Sequence, residues 1–156
     1  MKRNIQILAL LLSVLLLGGC NTVQKLKNIQ VTSATVESIS PLGLRGLTGT
    51  FLIGLDNPAM QFTVKDISGT VYYKGQEYVD FVADPVTIKG KTTAVYELHA
   101  TATLRPEVSL MQVLALARGT DLADFTIDIN ATVVLRSGVG KAISLTGINL
   151  KDLLEQ

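Results

Sequence analysis

The chain has 156 residues, with 14 basic and 13 acidic side chains, 47% hydrophobic residues and a single cysteine. So even a charge balance leaves no electrostatic footprint for nucleic acid, and the absence of tryptophan weakens the case for carbohydrate or base stacking. One cysteine cannot close an intrachain disulfide or build a multi-thiolate metal site.

The first 19 residues read as a signal. Lys2 and Arg3 form a positive n-region, Ile5 to Leu17 is apolar except for Gln6 and Ser13, and Gly18 and Gly19 precede Cys20. Charge, apolar core and small residues in that order define a secretory signal, and the apolar run falls short of the roughly 20 residues that span a bilayer. The ending Leu17-Gly18-Gly19-Cys20 resembles the bacterial lipobox. The resemblance implies diacylglycerol transfer to the Cys20 thiol, cleavage before it and N-acylation of the new terminus. Several acyl chains hold a protein stably where one holds it marginally. The expected partner of residue 20 is therefore the membrane, and residues 20–28 become a tether. The cleaved chain would have 137 residues, 12 basic against 13 acidic, enough for one domain with a core of its own.

Ile29 to Ile39 reads as a first strand, with a phase slip between Val31 and Ala34 that predicts a bulge, and Pro41-Leu42-Gly43 as a turn. Gly43, Gly46 and Gly49 recur without matching a phosphate-binding loop and are taken as turn and strand-entry glycines. Leu47 to Asp56 alternates, with Leu47, Phe51, Ile53 and Leu55 on one face, and Asn57-Pro58 ends it. Val64–Tyr73 and Glu77–Ala83 form a hairpin through Lys74-Gly75, followed by a short piece at Val86 and Ile88.

Thr92 to Leu104 is the longest alternating run. Ala94, Tyr96, Leu98, Ala100, Ala102 and Leu104 share one face; Glu97, His99 and Thr101 lie on the other. Ser109 to Arg118 is the one helical stretch, with capping-box spacing between Ser109 and Gln112 and a stripe of Leu110, Val113, Leu114 and Ala117. That stripe is expected to pack on the domain's own core rather than on a partner. Phe125 to Arg136 alternates again, Ile127, Ile129, Ala131 and Val133 inward. Ile143, Leu145, Ile148 and Leu150 make the last strand, with Gly147 at a bulge. The expected fold is all-β: a seven-stranded antiparallel sandwich over residues 29–150 with one short helix, and residues 151–156 as a tail.

Phe51-Leu52-Ile53-Gly54-Leu55-Asp56-Asn57-Pro58, a hydrophobic strand ending in Asn-Pro, and the following hairpin Val71-Tyr72-Tyr73-Lys74-Gly75-Gln76-Glu77-Tyr78 resemble the type-2 late-embryogenesis-abundant domain, also called the water-stress and hypersensitive-response domain. The resemblance spans roughly Ile29 to Asn149. It implies a fibronectin-like, immunoglobulin-like sandwich with protective or interaction roles under stress and no active site, Asp56, Asn57 and Pro58 being structural.

No catalytic, cofactor or metal site is expected. His99, the single histidine, sits on an outward strand face with Glu97 and Thr101, and a Ser-His-Asp arrangement would need partners brought from elsewhere in the chain. Asp80 and Asp84, and Asp121, Asp124 and Asp128, lack calcium-loop spacing and are read as turn and cap residues. Asn130-Ala131-Thr132 matches a glycosylation sequon but lies mid-strand behind a bacterial signal. The functional expectation is a lipid-anchored envelope protein that binds or shields envelope components through an unidentified protein partner. A subunit of a surface assembly pairing through a sheet edge is the alternative, and a loop-built hydrolase is disfavoured by the single histidine. The expected location is the outer membrane, facing the periplasm: in lipoprotein families where an acidic cluster after the cysteine directs surface export, its absence after Cys20 implies the periplasmic side.

Overall fold

Alternating sequence becomes alternating burial along Thr92–Leu104, where every second residue from Ala94 to Leu104 is shielded and every residue between is exposed. The computed structural model describes residues 28–119 and 121–154; Leu17, Gly18, Gly19 and Cys20 lie outside them. Eight strands run β1 Gln30–Leu42, β2 Gly46–Asn57, β3 Phe62–Tyr73, β4 Gln76–Ala83, β5 Val86–Ile88, β6 Thr92–Leu104, β7 Phe125–Leu135 and β8 Gly140–Asn149. Two short helices, α1 Leu110–Gly119 and α2 Leu150–Leu154, and a 3-10 turn at Leu122–Asp124 complete the described elements.

All pairings are antiparallel, in the order β1-β2-β6-β4-β3-β7-β8, with β5 also on β3. One interruption turns this sheet into a sandwich. β4 and β5 continue one register along β3, Ile67 opposite Ala83 and Val64 opposite Val86. On its other side β4 pairs β6 only as far as Ala83–Ala100, and the last rung is Asp84 N–H to His99 O at 2.9 Å. Pro85 follows, its missing N–H turned toward β3 by strand alternation, and the β4–β5 arm leaves β6 there. Beyond that point β1-β2-β6 and β5-β3-β7-β8 form two layers. Between them lies a core of Ile29, Ala59, Phe62, Ile88, Ala131, Val133 and Ile143, with Leu55 and Tyr96 packed against it from the first layer.

At the opposite end Val79, Leu104 and Val108 form a second cluster covered by Leu110 and Val113 of α1. The expected capping box starts that helix: Ser109 N–H donates to Gln112 Oε1 at 2.7 Å and Gln112 N–H to Ser109 Oγ at 3.2 Å. The expected bulges are present between Val31 and Ser33 and at Gly147, whose φ is +66°. The Lys74-Gly75 hairpin has φ of +49° and +82°, the mirror-turn geometry that matches strand twist.

Four expectations are corrected. The short Val86–Ile88 piece counts as a strand, so the strands number eight rather than seven. Pro41 and Leu42 belong to β1, paired with Leu47 and Gly46; β1 is an edge strand, where proline's missing donor costs no ladder bond. Leu150 opens a second helix instead of ending the last strand, because Asn149 Oδ1 accepts the Lys151 N–H at 3.0 Å and caps it. Residues 151–154 are therefore helical rather than an irregular tail. Beyond these, β3 carries an unforeseen bulge: its register to β7 shifts between Lys65 and Ser68, and Asp66 takes φ +52°.

Candidate functional site

Asn57 of the Asn-Pro motif is the most buried polar side chain among the described residues. Pro58 biases the preceding residue to extended backbone, so Asn57 finishes β2 opposite Thr92 and turns its side chain inward. Asn57 is 0% exposed. Its Oδ1 accepts the Ala59 N–H at 2.9 Å, and its Nδ2 donates to Lys89 O at 2.9 Å and Met60 O at 3.2 Å. Both amide donors are used, so the carboxamide carries no free N–H with which to hold a ligand.

The bond to Lys89 joins two connections 32 residues apart. Lys91 N–H donates to Ala59 O at 2.9 Å, knitting residues 58–61 to 89–91, and Lys89 N–H donates to the Tyr96 hydroxyl of β6 at 2.9 Å. Gly90 is required there, since a Cβ would lie 2.6 Å from Gln61 N and 2.8 Å from Ala59 O. Asp56 faces outward and accepts from Thr93 Oγ1 at 2.9 Å. Asp56, Asn57 and Pro58 thus act in one structural device.

His99 lies on the outward face of β6, as expected. Its Nε2 is 3.2 Å from Glu97 Oε1, and its Nδ1 is 3.2 Å from Thr50 Oγ1 of β2. Hydroxyl, imidazole and carboxylate thus stand in line, but the His99 and Glu97 side chains are each 54% exposed. In water such a carboxylate interacts weakly. Asp128 accepts the Gly147 N–H at 2.8 Å.

A third polar group covers the outward face of β4, β3 and β7. Arg105 Nη2 meets Glu77 Oε2 at 2.7 Å and Asp80 Oδ1 at 3.1 Å, and Thr70 Oγ1 donates to the same Asp80 oxygen at 2.8 Å. The Arg45 guanidinium donates to the backbone carbonyl of Arg105. A hydrogen bond to Asp128, then partial burial and the charges of Asp128 and Glu77, raise the Tyr72 phenol above its ordinary value. Asp121 caps the 3-10 turn, accepting the Ala123 N–H at 2.9 Å. Among the described residues no three metal-ligating side chains cluster. Asn130 of the sequon is mid-β7, between Ser68 and Ser144.

Sequence reasoning placed Asn57, and His99 with Glu97 beside it, but missed the partners that come from other parts of the chain. Lys89 O lies 32 residues from Asn57, and Thr50 lies 49 from His99. The one local hint was Gly90 between two lysines in a short connection.

No protein-family model matches the chain, and no curated protein matches it. Among solved structures it is similar to a protein from Archaeoglobus fulgidus, at 13% identity over 75% of this chain and 97% of that one, with a TM-score of 0.46. It is also similar to part of Bacteroides uniformis β-glucuronidase 2, in its D341A D367A calcium-binding mutant, at 13% identity and TM-score 0.34, and to part of a Bacteroides uniformis β-glucuronidase at 12% and 0.32. The chain spans 13% of each glucuronidase chain. Likenesses of this size carry nothing about chemistry.

Proposed function

We propose that the chain is a lipid-anchored protein of the bacterial cell envelope whose β-sandwich, similar to the type-2 late-embryogenesis-abundant domain, binds or shields other envelope components without catalysing a reaction. The observation that carries this reading is the ordered run Lys2-Arg3, apolar Ile5–Leu17, Gly18-Gly19-Cys20. The Asn-Pro device supports the domain resemblance, because its amide donors are spent on holding loops together. The exposure of the His99 and Glu97 side chains supports the non-catalytic reading.

Cys20→Ser tests the anchor. Metabolic labelling with an alkyne fatty acid is expected to tag the native chain and leave the variant untagged, with the variant uncleaved or released to the soluble fraction. A variant that still takes the label refutes the anchor. Crosslinking in intact envelopes then identifies what the sandwich touches.

A second reading is assembly through a sheet edge, and β1 favours it. This edge strand of 13 residues leaves Val36 41%, Ile39 57% and Leu42 54% exposed, and a long apolar edge is a template for further pairing. Concentration-dependent association abolished by Ile39→Lys would support it, and a monomer at all concentrations would not.

A further inference from the structure

The register places four features at one pole of the sandwich. The chain enters β1 at Ile29, which is buried in the core beside Ala59 and Phe62. Gln30 pairs with Asp56 and Asn57 with Thr92, so the entry, the 58–61 connection and the 89–91 connection are neighbours. Phe62 pairs with Ile88 on one side and Leu135 on the other, which brings the 136–139 turn to the same end.

These three connections carry Lys89, Lys91 and Arg136, all exposed, and no acidic residue. They also expose Met60 at 39% and Val139 at 64%. The opposite pole is built from residues 43–45, 74–75, 105–109, 121–124 and α2. It mixes Arg45, Lys74, Arg105 and Lys151 with Glu107, Asp121, Asp124 and Asp152.

We propose that the pole formed by residues 58–61, 89–91 and 136–139 is a docking surface for an anionic phospholipid membrane. Basic side chains attract acidic head groups, and the two exposed apolar tips suit the head-group boundary. The surface is pre-organised. Asn57 and the Lys91–Ala59 bond fix the backbone of both lysines, so little order is lost when lipid is met.

Geometry agrees, in a step that rests on the anchor reading above. Asn21 to Asn28 reaches about 28 Å when fully extended. A strand of 13 residues such as β6 is about 40 Å long. A tether entering at Ile29 holds this pole at the bilayer and is too short to bring the far pole there.

The test uses the full chain isolated from envelopes in detergent and placed on vesicles of phosphatidylcholine alone or with added phosphatidylglycerol. Hydrogen exchange is read peptide by peptide. The expected result is several-fold slower exchange at 58–61, 89–91 and 136–139 on phosphatidylglycerol only. That protection should be lost in molar salt, where screening is short-ranged, and in the Lys89→Glu/Lys91→Glu double variant. Arg136→Glu, on a different connection, should weaken it as well and stands in if the double variant melts early. Equal exchange on both vesicles, protection unchanged in a folded variant, or protection at 43–45 and 105–109 instead would overturn the proposal.

Intact mass of the same preparation reads acylation of Cys20 separately. A chain without acyl groups that still gains protection on phosphatidylglycerol would refute the anchor and keep the docking surface. An acylated chain with no lipid-dependent protection would do the reverse.

Discussion

Asn57 and His99 each sit among polar partners, and they differ in what surrounds the bonds. Asn57 is 0% exposed and makes three hydrogen bonds to backbone groups of two connections. The His99 side chain is 54% exposed and touches two side chains that water also reaches. A lost bond in the first setting strands groups that water cannot readily satisfy. In the second, water replaces it. The comparison assigns Asn57 to architecture and leaves His99 as surface, although a histidine beside a carboxylate looks more like chemistry.

The largest effect should follow from Asn57→Ala. It unpairs Ala59 N–H, Lys89 O and Met60 O and is expected to cost about 3–5 kcal/mol, at roughly 1–3 kcal/mol per unsatisfied buried group. Asn57→Asp should not rescue it, because a carboxylate keeps the acceptor for Ala59 but faces two carbonyls with no donor. Thermal or denaturant melts check both; a cost below ~1 kcal/mol would remove the distinction from His99.

Ile127→Ala supplies an apolar yardstick. Ile127 is 8% exposed and packs with Leu145 and Ile148, and its truncation is expected to cost about 2–4 kcal/mol from lost contacts and a cavity. If it costs more than Asn57→Ala, the sandwich depends on packing along β3, β4, β7 and β8 more than on the stapled loops. The capping box is intermediate: Ser109→Ala removes the acceptor for Gln112 N–H and should cost about 1 kcal/mol, read as an earlier melt with the β-sheet signal otherwise intact.

Tyr72 gives a pH-dependent case. Its folded pKa is raised, chiefly by the hydrogen bond to Asp128. The folded state therefore holds the phenolic proton more tightly than the unfolded state. That contribution is fully present below the unfolded phenol value near 10 and is lost as pH rises through the higher folded value. A titration that follows the Tyr72 ring by NMR should show it ionising late, and Asp128→Asn should lower that value. Tyr72 titrating alike in both proteins would refute the coupling.

The smallest effect is expected for His99→Ala, within about 0.5 kcal/mol, the range of exposed substitutions. Full stability together with the phenotype of losing the protein would make Thr50, His99 and Glu97 a functional site and reverse the assignment.

Period-two alternation in Thr92–Leu104 and Phe125–Arg136, the Lys74-Gly75 turn, the Ser109–Gln112 cap and the end of a strand at Asn57-Pro58 were all legible because each is local. Propensity, capping and turn geometry act over two to four neighbouring residues, and the residues involved are adjacent in sequence. Other features were decided only by tertiary structure. The segments Gln76–Ala83 and Val86–Ile88 read as two separate pieces until β6 lies beside only the first; where that pairing stops at Ala83–Ala100, one sheet opens into two layers. Pro41 reads as a turn until β1 proves to be an edge. Asn57 reads as a turn residue until the 89–91 connection closes over it, and Thr50 is only one outward threonine until β2 pairs with β6. These outcomes depend on contacts between residues tens of positions apart, set by how two layers bury their apolar faces together. A pattern confined to one segment carries no record of which other segment will satisfy its donors.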